Sequence, residues 1–396
     1  MHKCCADDRI ADMRFLLITH TFATGPSQEL RDYFVQKKVT FTFVEHPFSF
    51  NCASKHSRIT FFKNGKETQT SNGVDFSSSD LFHFIKDFLY TLYFVIRSRE
   101  RYDVCIAVDN LNVIASFFLK KLGFFKKLVY WTIDYTPKRF ENNLLNTIYH
   151  SVDRFCCYHS DLLWNSSKRM NYARRQNGVN MAKCAPEIIV PDGCHFDEIE
   201  RISDDKVDRF KLVFMGHLAK NKGVYLIISS LPDLLQDYPQ ITLTIIGTGP
   251  EEDGLKNLAQ KLNLHDKVFF TGYITDHKKV EQTIASCGIG LSPYVPDPNS
   301  CTFFSDVGKV KVYLACGLPV LITNVPEIAV DLQRNAAGVI FDYNKQSFVN
   351  QIKILLENEG KYFQYRHNAI CFIENLSWDN VLNRVIAQTF DVLFKI

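Results

Sequence analysis

Several common signals are absent from this chain of 396 residues. Its 12 cysteines form no C-x-x-C pair, which leaves zinc-ribbon and thioredoxin-like sites without support. There is no run of about 18 apolar residues, so we predict no membrane-spanning segment. We recognise no signal peptide and expect a cytoplasmic location, where cysteines stay reduced. The formal net charge of +3 is too small for the strongly basic face of a nucleic-acid binder.

Short apolar runs alternate with helical segments, and this alternation occurs twice. In the first half we predict strands at 14–19, 39–44, 59–63, 104–108 and 127–133, with helices at 28–37 and 110–122. A charged stretch at 195–210 has no strand signal, and the alternation restarts at residue 212. Such βα repeats predict an α/β fold with parallel sheets and helices on both faces. We therefore predict one domain at 1–200, a second at 201–375 and a last helix at 376–396 that packs back on the first.

The most apolar segment is Leu81–Ile96, which Lys86 and Asp87 interrupt. We predict an amphipathic helix with the two charges on a polar edge and the aromatic face packed on the first domain. The alternative is a helix that lies on a membrane surface.

Two loops of the second half follow predicted strands, where open parallel sheets bind ligands. In the loop 216–223, Gly216 permits a turn and Lys222 lies at a helix start, where ammonium and amide groups can meet a phosphate. In the loop 247–253, Gly247 and Gly249 resemble a dinucleotide fingerprint. The next glycine comes too late for that fingerprint, and three acidic residues would repel a pyrophosphate. Either loop could also be a plain structural turn.

The stretch 306–320, DVGKVKVYLACGLPV, predicts a short helix followed by a buried strand. Gly317 suits the left-handed position after a helix, and Pro319 cannot extend the helix. Lys309 and Lys311 bring positive charge to the helix start, where an anion could dock. The alternative is an ordinary turn with solvated lysines.

In the first half, Asp134 follows a strand and so lies at a carboxyl edge of the predicted sheet. Arg139 lies five residues further on and could pair with a phosphate or a carboxylate. The small-residue loop 24–27, which includes Gly25, follows the first strand. The alternative for Asp134 is that it only caps the next turn.

Taken together, these segments resemble the retaining, family-4-like GT-B glycosyltransferases. The matching segments are GHLAKNKG (216–223), ITLTIIGTGPEEDGLKNLA (241–259), VFFTGYI (268–274), KVKVYLACGLPV (309–320) and VPEIA (325–329). The resemblance implies two Rossmann-like domains that face each other across a cleft. It implies a nucleotide-diphosphate sugar on the C-terminal domain and a glycan or lipid-linked acceptor on the N-terminal domain. It also implies transfer with retention and no bound metal, because basic side chains and helix ends neutralise the leaving diphosphate.

By this resemblance Lys222 clamps the diphosphate. The full donor-binding set is Gly216, His217, Lys222, Gly247, Gly249, Lys309 and Lys311; the catalytic candidates are Asp134 and Asp306, and the acceptor-side candidates are Gly25 and Arg139. His217 stands where the family usually has arginine. The family's glutamate pair is missing, because Phe304 and Val312 occupy those positions. We expect Asp306 and Lys309 to replace part of its role.

The sequence thus predicts a hexosyltransferase-like enzyme of cell-surface or exopolysaccharide assembly. The alternatives are a catalytically silent GT-B protein that binds a nucleotide sugar or glycan, and a sugar-nucleotide epimerase. A separate prediction concerns the stretch KKLGFFKK, in which Lys120, Lys121, Lys126 and Lys127 flank two phenylalanines. Such a stretch could hold the protein on the inner face of a membrane. The alternative is a basic helix end with its phenylalanines in the core.

Overall fold

The computed structural model describes residues 10, 12–21, 25–48, 56–74 and 80–395. Thr24, in the predicted small-residue loop, lies outside these ranges, as do Cys4, Cys5 and Cys52. The chain divides into two compact units. Unit 1 comprises Met1–Pro191 and Asp379–Ile396, and unit 2 comprises Asp192–Trp378.

Unit 1 contains a mostly parallel sheet, as the βα alternation predicts. Its strands are β1 (Arg14–Thr21), β2 (Thr40–Pro47), β3 (Arg58–Lys63), β4 (Lys66–Asn72), β5 (Tyr102–Val108), β6 (Phe125–Thr132), β7 (Leu162–Asn165) and β8 (Glu187–Ile189). They lie in the order β4-β3-β2-β1-β5-β6-β7-β8. Of the pairs between these eight described strands, β2–β3 and β3–β4 are antiparallel and the others are parallel. The central strands are short apolar runs because both faces of a parallel sheet are covered.

Among the residues that the structure describes, five α-helices connect these strands, and a sixth comes from the end of the chain. They are α1 (Pro26–Gln36), α2 (Asp80–Ser98), α3 (Asp109–Lys121), α4 (Asn143–His159), α5 (Arg169–Gln176) and the last helix (Trp378–Phe394). The last helix buries Val381, Val385 and Phe390. It is fixed to unit 1 by a hydrogen bond of 3.0 Å from Trp164 Nε1 to Thr389 Oγ1. The predicted return of this helix to the first half of the chain is confirmed.

A buried ion pair holds the β6, β7 and α4 part of unit 1. The Arg174 guanidinium donates to both carboxylate oxygens of Asp153 at 2.9 Å, and also to Asn165 and Thr132. Burial opposes the charge of Arg174, but Asp153 holds the pKa of this guanidinium well above its usual value. Because the carboxylate and the guanidinium are both hydrogen-bonded, the buried charges are compensated.

Unit 2 contains a second parallel sheet. Its strands are β9 (Lys211–Met215), β10 (Thr242–Ile246), β11 (Val268–Gly272), β12 (Ile289–Ser292), β13 (Val320–Thr323) and β14 (Gly338–Phe341). They lie in the order β11-β10-β9-β12-β13-β14. The helices are α6 (Val224–Asp237), α7 (Glu252–Lys261), α8 (His277–Ala285), α9 (Cys301–Phe304), α10 (Gly308–Ala315), α11 (Ile328–Arg334), α12 (Lys345–Glu357) and α13 (Glu359–Glu374). Apolar clusters cover both faces of the sheet, as in doubly wound folds.

Helix α2 forms where the sequence predicts it, but its predicted orientation is wrong. Lys86 and Asp87 are buried in unit 1, whereas Phe82, Ile85 and Leu89 are exposed. The apolar pattern marks a helix with two different faces, and it cannot say which face meets the core. Within the described residues, no helix is long and apolar enough to cross a bilayer.

Candidate functional site

In unit 2 the carboxyl end of β9 is a topological switch point, because its neighbours β10 and β12 lie on opposite sides. The crevice at such a point is where open α/β sheets bind ligands. The loop from Gly216 to Gly223 starts there. The first candidate loop of the sequence analysis therefore lies at the carboxyl ends of the strands, next to this switch point.

The loop that contains Gly247 and Gly249 braces this first loop. Gly216 N–H donates to Ile246 O at 2.8 Å, and Leu218 N–H donates to Thr248 O at 2.9 Å. A Cβ on Gly247 would lie 2.1 Å from Gly216 O, and one on Gly249 would lie 2.4 Å from Leu218 O. These two glycines therefore let the backbones of the two loops lie side by side.

The ammonium group of Lys309 lies over the backbone of Gly216. A Cβ on Gly216 would come within 2.9 Å of Lys309 Nζ. Burial, with a smaller contribution from the charge of Lys222, lowers the pKa of Lys309 to about 8. No carboxylate among the described residues pairs with this ammonium. A partly buried cation without an anion loses part of its hydration, and an anionic ligand would offset that loss.

Lys222 brings a second positive charge to the same place. Its ammonium donates to Thr302 Oγ1 at 3.3 Å and lies 5.3 Å from the centre of the Tyr294 ring. Helices α6 and α10 start beside these lysines, and neither has an acidic residue in its first turn. By contrast, α7 starts with Glu252 and Asp253. The positive ends of α6 and α10 thus add to the attraction for an anion.

Lys311 and Asp306 lie elsewhere in the site. Lys311 is only 1% exposed; its ammonium contacts the Asp306 carboxylate and donates to Asp192 O at 2.5 Å. Asp306 also accepts from the N–H groups of Asp192 and Val307. The ion pair of Lys311 and Asp306 thus holds the segment that leads into α10 in place. His217 is exposed on the loop after β9.

The two positions of the family's glutamate pair hold apolar side chains. Phe304 is 2% exposed, and Val312 is partly buried in α10. Among the described residues, no group of three or more His, Cys, Asp or Glu side chains is placed to hold a metal ion.

Unit 1 has its own switch point at the carboxyl ends of β1 and β5. Gly25, between β1 and α1, lies on one side of this point. On the other side Asp109 begins α3 with a φ of 67°, in the left-handed region that few aspartates adopt. Burial raises the pKa of the Asp109 carboxyl, as does Asp134, while His20 and Arg139 act in the opposite direction. The charges of Asp134 and Arg139 thus both act on the Asp109 carboxyl.

The sequence reasoning missed Asp109 and His20. The signal for Asp109 is an acidic residue between a buried strand and a helix, at the edge where ligands bind. His20 Nε2 lies 3.2 Å from Asp87 Oδ2, and its Nδ1 accepts from Asn112 Nδ2 at 3.1 Å. His20 thus fixes α2 and α3 to the end of β1. No pattern in the sequence links it to Asp87.

The four lysines of the stretch KKLGFFKK differ in their partners and in their exposure. Lys120 contacts Asp161 at 2.5 Å and Lys126 contacts Asp103 at 2.7 Å. Lys121 is exposed, and Lys127 is partly buried. The two phenylalanines between them are buried in the core of unit 1, so they form no exposed aromatic surface.

Comparisons with known proteins connect this architecture to a family. A sequence model of the glycosyl transferases group 1 family matches residues 209–358. One subunit of the human phosphatidylinositol N-acetylglucosaminyltransferase is 26% identical over 168 residues, which is 42% of this chain. The match spans 33% of the length of that human protein. An uncharacterized glycosyltransferase of Methanocaldococcus jannaschii, MJ1069, is 27% identical over 284 residues, which is 67% of this chain and 69% of that protein.

Among solved structures, Anabaena HepE in complex with UDP is similar with a TM-score of 0.67 and 16% sequence identity. That similarity covers 96% of this chain and 100% of HepE. Because the sequence identity is so low, this similarity shows a shared fold and nothing more. The resemblance seen in the sequence is therefore confirmed: the chain has the GT-B fold, and its residues 209–358 match the sequence model of the glycosyl transferases group 1 family.

Proposed function

We propose that this protein is a glycosyltransferase that moves a sugar from a nucleoside diphosphate sugar to an acceptor hydroxyl. The observation that carries the proposal is the partly buried ammonium of Lys309 at the switch point of unit 2. It lies over Gly216 with no paired carboxylate among the described residues, and the charge of Lys222 acts on it. Two neighbouring cations beside two helix N-termini match the charge of a diphosphate.

The same lysines would act in the transfer step. The bond between the anomeric carbon and the diphosphate oxygen breaks, and its electron pair leaves with the diphosphate. Lys222, Lys309 and the amides of α6 and α10 stabilise that developing charge without a metal ion. The acceptor hydroxyl bonds to the anomeric carbon on the face that the diphosphate leaves, and its proton passes to the departing diphosphate oxygen, so the configuration is retained.

We assign the acceptor to unit 1. The support is that Asp109 begins α3 at the switch point of this unit, that the charges of Asp134 and Arg139 act on this carboxyl, and that Gly25 lies in the loop after β1. A carboxyl with a raised pKa is suited to hold the hydroxyl proton of an acceptor. In unit 2 we give Asp306 and Lys311 a positioning role, because each already contacts the other. The name of the human relative contains phosphatidylinositol, and this supports a lipid-linked or glycan acceptor of cell-surface assembly.

Donor binding tests the proposal directly. Isothermal titration with UDP, GDP and ADP should show binding of one nucleotide, and Lys309→Ala or Lys222→Ala should weaken it at least about tenfold, as loss of a charged hydrogen bond would. Lys220→Ala is the matched control, because Lys220 is an exposed lysine in the same loop. If no nucleoside diphosphate binds, or if all three variants behave alike, the assignment is wrong.

A second assay separates the enzyme from a silent relative. The buried Phe304 and the apolar Val312 at the glutamate positions favour the silent alternative. Hydrolysis or transfer of the nucleotide sugar that binds would establish an enzyme, and binding without turnover would establish a sugar-nucleotide binding protein.

A further inference from the structure

Helix α2 presents its large apolar side chains to the outside of unit 1. Phe82, Ile85, Leu89, Tyr93 and Ile96 are all exposed, Leu89 by 56% and Tyr93 by 52%. They follow one another at intervals of three and four residues, so they form one stripe along the helix. We call these five residues the outer stripe. An exposed stripe of this size is typical of an interaction surface.

The inner side of α2 explains why the outer stripe cannot turn toward the core. Asp87, which is 1% exposed, lies 3.0 Å from Lys86 Nζ and 3.2 Å from His20 Nε2. Thr91 hydrogen-bonds with His46 Nε2 at 2.8 Å. Rotation of the helix would break this buried network and leave its polar groups unpaired. The exposure of the outer stripe is therefore a fixed property of unit 1.

The apolar surface continues onto the neighbouring helices. Phe88 contacts Phe118 of α3 edge to face at 6.1 Å, and Phe118 is itself 49% exposed. A concavity of about 380 Å³ lies along the outer stripe, and a second of about 370 Å³ lies between α3 and α4, beside Ile148. The surface is thus broader than one helix.

One end of this surface is basic. The register of β5 and β6, with Tyr102 opposite Phe125, brings the ends of α2 and α3 together. Four exposed basic residues lie at these ends, and none has an ion-pair partner among the described residues: Arg97, Arg99, Arg101 and Lys121. The three acidic residues nearby are already paired, Glu100 with Arg14, Asp103 with Lys126, and Asp161 with Lys120.

We propose that unit 1 docks on the surface of an anionic phospholipid bilayer through the outer stripe and this basic end. Aromatic and aliphatic side chains enter the interface between headgroups and acyl chains. The arginines and Lys121 lie at the level of the anionic headgroups, which attract them. This contact differs from the one that the lysine stretch alone predicts, because its apolar part is α2.

Flotation of the full-length protein with vesicles tests the proposal without any sugar donor. Vesicles of phosphatidylcholine with about 30 mol% phosphatidylserine should bind the protein, and pure phosphatidylcholine should bind it about tenfold less. Leu89→Glu should weaken binding at least about tenfold, because it places a charge in the inserted stripe. Tyr273→Glu is the matched control, since Tyr273 is an exposed aromatic residue of unit 2. Arg97→Gln with Arg99→Gln should remove the preference for anionic vesicles.

Circular dichroism of each variant verifies folding, which changes at exposed positions should not affect. Binding of Leu89→Glu at the level of the unchanged protein would overturn the proposal, as would no binding of the unchanged protein to either vesicle. Size-exclusion chromatography with light scattering tests whether a second copy of the protein, rather than a membrane, covers the outer stripe. A dimer that Leu89→Glu dissociates would show that a second copy covers the stripe, and would also overturn the proposal.

Discussion

Lys309 and Lys311 show how residues two positions apart on one helix acquire different roles. Both are basic, and the sequence assigns both to donor binding. Two helical positions differ by about 200° in direction, so the side chains cannot share one environment. Lys309 reaches Gly216, whereas Lys311 contacts Asp306. The sequence could place both lysines at the correct end of the sheet, but their separation depends on the packing of α10.

The lowered pKa of Lys309 makes donor affinity depend on pH. In the protein without nucleotide, Lys309 has a pKa of about 8, and a bound diphosphate favours its charged form. The affinity for the nucleotide is therefore highest well below pH 8, where Lys309 is charged, and it falls as the pH rises through this value. Between pH 7 and pH 9 the dissociation constant for the nucleotide should increase about tenfold. Its phosphates are fully ionised in this range, with a pKa of about 6. Isothermal titration at several pH values measures the effect.

Lys309→Arg is the control for that pH dependence. A guanidinium stays charged throughout this range, so the variant should bind the nucleotide with nearly constant affinity from pH 7 to pH 9. An equal pH dependence in the variant and the unchanged protein would show that another group is responsible.

At the scale of elements, the helices and strands with a clear apolar period could be predicted. The strands β1, β2, β3, β5 and β6 and the helices α1 and α3 lie within a few residues of where the sequence places them. Strand β4, with the sequence KETQTSN, could not be found, because this exposed edge strand carries no apolar alternation. Helix α2 shows the complementary failure. The apolar residues of α2 recur with a clear helical period. However, the buried contacts of Lys86 and Asp87 turn the polar side of the helix toward the core, and no local sequence pattern reveals these contacts.

The end of α10 gives a prediction at this scale. Gly317 has a φ of +83°, and Leu318 N–H donates to Tyr313 O at 2.9 Å, as in a Schellman motif. A Cβ at this position would lie 2.7 Å from Arg366 Nη1. Gly317→Ala should therefore lower the free energy of unfolding by about 1–2 kcal/mol or more. Urea denaturation followed by circular dichroism measures the change.

Gly254 provides the matched control for this glycine. It lies inside α7, and a Cβ there would meet no atom within 4 Å. Gly254→Ala should raise the free energy of unfolding by up to about 1 kcal/mol, because alanine favours the helix. Equal effects of the two substitutions would contradict the role of the Gly317 cap.

At the scale of the whole molecule, the two units differ in how the chain builds them. Unit 2 is one continuous segment with apolar clusters on both faces of its own sheet. Unit 1 combines two distant segments, since the last helix supplies part of its core. A pattern of βα repeats predicts both sheets. It cannot by itself identify the contacts that join a helix from the far end of the chain to the first sheet, such as the hydrogen bond from Trp164 to Thr389.

This difference predicts the behaviour of fragments. A chain of residues 191–378 should fold cooperatively and bind the same nucleotide as the full protein, because the lysine site and both clusters lie within it. It should begin at residue 191 so that Asp192 keeps the amide N–H that donates to Asp306 at 2.8 Å. A chain that ends at residue 190 lacks the helix that buries Val381, Val385 and Phe390, and it should fail to fold. Thermal denaturation, limited proteolysis and nucleotide titration of both fragments measure this. A cooperative transition in the fragment that ends at residue 190, or an unfolded 191–378 fragment, would contradict the prediction.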